Sequence, residues 1–66
     1  MTGEELKKAR LSKKISQQRL GELLGYEGRT AESLVQHWES DRREVPLKHI
    51  RKLSEILEIP LERFIP

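Results

Sequence analysis

The sequence predicts an all-α fold, a compact bundle of four to five short helices. Three observations carry this. No stretch shows the alternating Val/Ile/Thr pattern of a half-buried strand, and apolar residues recur at helical spacing from end to end. Capping residues and glycines divide the 66 residues into short segments. No linker, internal repeat or low-complexity stretch interrupts them, so residues 1–66 read as one domain.

Each element has its own signal. Thr2 followed three residues later by Glu5 is a capping box that opens the first helix. Leu6, Ala9 and Leu11 give that helix an apolar side, and Lys13-Lys14 suit its C-terminal dipole. Ser16 is a good N-cap for the second helix, Leu20, Leu23 and Leu24 form its stripe, and Gly25 stops it. Gly21 inside this helix costs about 1 kcal/mol relative to alanine, which is explained if another helix crosses closely there. Thr30 is the expected cap of the third helix, with Glu32 in its first turn and Ala31, Val35 and Trp38 facing inward. The fourth helix opens near Pro46 and carries Leu47, Ile50, Leu53 and Leu57 as its stripe. Pro60 opens a last short turn holding Leu61, Phe64 and Ile65.

The second and third helices, about 16–24 and 30–40, make a helix-turn-helix unit: a supporting helix, a glycine stop and a recognition helix. Net charge is only +2, but its distribution is uneven. Residues 1–20 carry net +4, residues 21–40 net −3, residues 41–52 net +3 and residues 53–66 net −2. Basic segments thus bracket the middle of the unit, where phosphate clamps are useful. There are no cysteines, so neither disulfides nor a zinc–thiolate site supports the small core. His37 and His49 lack the i, i+4 spacing of a helical metal pair, and no metal or other cofactor is expected. No Gly-rich phosphate loop and no nucleophile–base arrangement is visible, so catalysis is not expected. The first residues are acidic rather than signal-like, and no apolar run is long enough to span a bilayer; a cytoplasmic protein with no membrane partner is expected.

An ordered set of residues now resembles a known family, the Cro/C1-type (XRE-like) helix-turn-helix of phage repressors and bacterial regulators. The set is Arg10, Ile15-Ser16-Gln17, Leu20-Gly21, Leu23-Leu24-Gly25, Val35, Trp38-Glu39, Arg42-Arg43 and Pro46. Ile50-Arg51-Lys52-Leu53 and Ile59-Pro60-Leu61-Glu62-Arg63-Phe64 extend it, so the resemblance covers nearly the whole chain. It implies a lambda-repressor-like DNA-binding domain. It also implies that Gln17 touches backbone phosphate, that Gly21 is the small residue under the third helix, and that Val35 is the apolar anchor of that helix. Arg10 and Glu39 match a partly buried ion pair tying the first helix to the end of the third. Two departures stand out. Between Gly25 and Val35 the chain has about four residues more than the family pattern, read here as a long turn, Tyr26–Ala31. Glu58 stands where the family often ends the fourth helix with glycine.

Double-stranded DNA is therefore the expected partner. The candidate contacts are Gln17 and Gln18 at the start of the supporting helix, Arg29 and Thr30 in the long turn and the cap, and Glu32, Ser33, Gln36 and His37 on the outer face of the recognition helix. Gln36 fits bidentate reading of adenine, Ser33 fits several edges, and Glu32 either accepts from cytosine or only stabilises the helix start. Arg29 fits phosphate or guanine. Arg42 and Arg43 fit phosphate clamping, the alternative being pairing with Asp41 and Glu44. Trp38 is expected in the core. The function expected is transcriptional repression by a homodimer on a pseudo-palindromic operator, with Ile56, Ile59, Phe64 and Ile65 as the dimer contact or as core of one protomer. Two rivals stand beside it: an antitoxin that binds DNA and also a toxin protein, and an adaptor that keeps the fold without binding DNA.

Overall fold

A computed structural model describes residues 1–65 as four α-helices and a final 3-10 turn: α1 Gly3–Ser12, α2 Gln17–Leu23, α3 Gly28–Glu39, α4 Leu47–Leu57 and the turn Leu61–Arg63. There is no strand among the described residues. The capping box at Thr2 forms: the Glu5 N–H donates to Thr2 Oγ1 at 3.2 Å, and the Thr2 N–H donates to Glu5 Oε1 at 3.2 Å. Ser16 caps α2 by accepting the Arg19 N–H at 3.0 Å. After α2 the backbone swings through φ +103° at Gly25, a conformation glycine adopts without steric cost.

Apolar residues from all four helices meet in one core of Leu6, Leu20, Val35, Trp38, Leu53 and Leu57, with Ala31 and Ile50 also buried. Two expected core residues are elsewhere. Leu11 is 53% exposed, because α1 turns Leu6 and Arg10 inward, one turn apart, and Arg10 takes the inner position. Leu47 is 81% exposed: the first turn of α4 overhangs the core, and Leu47 borders an open groove of about 700 Å³ beside Met1, Val45 and Phe64. Ile56, Ile59 and Phe64 pack against the core; of the four residues expected either there or at a dimer contact, Ile65 alone stays largely exposed.

The largest correction concerns the middle of the helix-turn-helix unit. The expected long turn Tyr26–Ala31 is not a turn. The chain leaves α2 at Leu23, and α3 begins at Gly28 after Glu27, which caps it without a side-chain hydrogen bond. Thr30 is therefore the third residue of the helix rather than its cap, and Arg29 stands on the helix rather than in a loop. The physical reason is periodicity. About four extra residues amount to one α-helical turn plus roughly 40°, so the insertion lengthens the helix and keeps its buried face in phase. Ala31, Val35 and Trp38 are all buried accordingly. Glu58 supplies the second surprise: it ends α4 in the left-handed conformation at φ 54°, the one the family's glycine would take, and its carboxylate pairs with Lys13.

Candidate nucleic-acid interface

The recognition helix is fixed to the rest of the molecule at both ends. Near its start, Ala31 lies directly on Gly21: a Cβ added to Gly21 would come within 2.5 Å of the Ala31 carbonyl oxygen and 2.6 Å of its Cβ. Val35 is buried one turn on, but the close crossing over α2 belongs to Ala31. At the other end, the Arg10 guanidinium donates to both oxygens of Glu39, at 2.5 and 3.3 Å, and to the Ile15 carbonyl at 2.7 Å. The two charged side chains are only 7% and 4% exposed, so each depends on the other for its desolvated charge.

The turn after α3 is set by Asp41. It adopts φ 60°, which aspartate tolerates better than most residues, and its carboxylate accepts the Gly3 N–H at 2.9 Å. Gly3 in turn sits against the carbonyls of Trp38 and Glu39, with no room for a Cβ. The positive end of α1 thus meets the negative end of α3. The Arg42 and Arg43 N–H groups fold back onto the His37 carbonyl at 3.0 and 3.4 Å, which places both arginines beside the end of the recognition helix. Among the described residues neither arginine pairs with Asp41 or Glu44.

Arg29, Thr30, Glu32, Ser33 and Gln36 are exposed, and His37 is half-exposed. Arg29, Ser33 and Gln36 follow one another at intervals of four and three, so they form one ridge opposite the buried residues. On one flank, Arg29, Thr30, Ser33, His37 and Arg43 line a shallow depression of about 300 Å³ floored by Leu34. Glu32 lies toward the other flank, the side on which Glu39 turns to Arg10 and Gln17. Gln17 has a partner within the protein. It is half-buried and its side-chain amide donates to Glu39 Oε1 at 3.0 Å, because the desolvated carboxylate has an acceptor site left after Arg10. Gln18 is exposed and donates to Glu22 at 3.0 Å, one turn along α2.

One contact had no visible signal in the sequence. The Tyr26 hydroxyl and His49 Nε2 are 2.8 Å apart, linking the α2–α3 turn to α4, and the His49 ring also leans on Trp38 with centroids 5.9 Å apart. Burial, and secondarily the charge of Lys48, lowers the His49 pKa below the usual histidine range. Only the 23-residue separation of Tyr26 and His49, on elements the sequence already places, could have hinted at it.

With this geometry in place, comparison with known families is decisive for the class. A helix-turn-helix family model matches residues 6–64, and the chain belongs to this family, the Cro/C1-type helix-turn-helix proteins. It is a family of DNA-binding regulatory domains, not one of enzymes. No curated protein and no solved structure matches the chain. No helix among the described residues is long and apolar enough to cross a membrane.

Proposed function

We propose that the chain is a sequence-specific transcriptional regulator, a repressor that occupies a pseudo-palindromic operator as a homodimer. The observation that carries this is the outer face of α3. It presents an arginine, hydroxyl and amide side chains on a helix braced at both ends, with Arg42 and Arg43, unpaired among the described residues, beside it. Such side chains match base edges in the major groove, and the arginines match the backbone. The acidic character of residues 21–40, which would favour an adaptor, is partly internal. Glu39 is neutralised by Arg10, and Glu22 lies near Arg19. For the dimer contact we propose the exposed Leu47 and Ile65, since Ile56, Ile59 and Phe64 pack against the core.

The test is a DNA titration by fluorescence anisotropy at about 50 and 200 mM salt. A protein neutralising about six phosphates loses on the order of a thousandfold in affinity between them. Binding that is absent, or indifferent to salt, rejects this reading in favour of the adaptor. Within the reading, Arg43→Ala weakens binding to every sequence alike and lowers the salt slope by about one.

A further inference from the structure

This inference rests on the DNA-binding reading and gives it a code. We infer that α3 reads DNA along its length, with Arg29, Ser33 and Gln36 each facing a different base pair. In the common helix-turn-helix arrangement, base contacts cluster at the N-terminal residues of the recognition helix. Here the ridge runs from Arg29 to Gln36, seven rises or about 10.5 Å along the helix, which matches about three base-pair steps of 3.4 Å.

The additional turn makes the ridge possible without loosening it. It falls between two anchors, Ala31 on Gly21 and Glu39 on Arg10, so it lengthens a rigid rod. Thr30, His37 and Arg43, gathered around the shallow depression on one flank, face the backbone of one strand. The ridge faces the base edges. Arginine matches guanine O6 and N7, glutamine matches adenine N6 and N7, and serine fits either. A half-site then holds a G·C pair opposite Arg29 and an A·T pair two or three steps away opposite Gln36.

The experiment selects a site from random duplexes with the unaltered chain, then titrates all its single-base-pair variants against the unaltered chain, Arg29→Ala and Gln36→Ala. Circular dichroism should show both variants folded, since Arg29 and Gln36 are exposed. Arg29→Ala should lose about 5- to 150-fold discrimination at one G·C pair. Gln36→Ala should lose a comparable amount at an A·T pair two or three steps away, each leaving the other's position unchanged. The code is overturned if both variants relax the same base pair, or if either weakens all sites alike. An unaltered chain that binds DNA but selects no sequence also overturns it, while one that binds no DNA removes the underlying reading as well.

Discussion

At the scale of single residues, two positions hold the recognition helix and differ in how they fail. Gly21→Ala forces a methyl group into backbone as well as side chain at Ala31, so the helices must part. Overpacking of this kind costs about 1–3 kcal/mol, read as a fall in the urea midpoint. Glu39→Gln removes a charge from a pair instead of adding volume. It leaves Arg10 desolvated without its counter-charge, at about 3–5 kcal/mol. A domain of this size has only about 3–10 kcal/mol in total, so the variant should lose a large part of its stability, read as a marked fall in the urea midpoint. The double change Arg10→Met, Glu39→Leu should recover much of the loss, and failure to do so would assign the cost to shape rather than charge.

At the scale of elements, most of what local chemistry controls was legible. The capping box at Thr2, the Ser16 cap and the Gly25 stop all report on short-range backbone requirements. The start of α3 was not legible, since Thr30 is as good a cap in composition as Glu27 is poor. What decides between them is the burial of Ala31 against Gly21, a tertiary contact that no local signal encodes. The bond from Gln17 to Glu39 was not legible either, because the two residues lie 22 positions apart. Glu58 shows an element boundary held at some strain. Measured in about 1 M salt, where its exposed pair with Lys13 is screened, Glu58→Gly should raise the melting temperature by a few degrees. An unchanged or lower melting temperature would mean that the left-handed backbone is not costly there.

At the scale of the whole molecule, three titrating groups divide the pH axis. His49 has its pKa lowered in the folded state, so as pH falls below about 6.5 the unfolded chain takes up the proton first. Stability therefore declines from about pH 6.5 down to the folded value and is fully present above. Glu5, beside Arg63, and Glu58, beside Lys13, have pKa values held below their ordinary ones, so their contribution is present at higher pH and is lost only in more acidic solution. Urea midpoints at pH 7.5 and 5.5 should differ for the natural sequence and converge in His49→Asn. An equal difference in both would place the sensitivity elsewhere.

The way α1 is attached has a consequence for the order of assembly. The contact that fixes α2 to α3 joins residues ten apart, Gly21 and Ala31. The bonds that fasten α1 join Arg10 to Glu39, Gly3 to Asp41 and Glu5 to Arg63, with separations of 29, 38 and 58 residues. Longer loops close at greater entropic cost, so the α2–α3 hairpin should form early and α1 should clasp it late. Gly21→Ala then slows refolding, whereas a substitution weakening the α1 clasp, such as Asp41→Gly, which keeps the left-handed backbone and removes the acceptor, mainly speeds unfolding. The two limbs of a denaturant chevron separate these outcomes, and α1 emerges as the latch that governs how long the recognition helix stays in place.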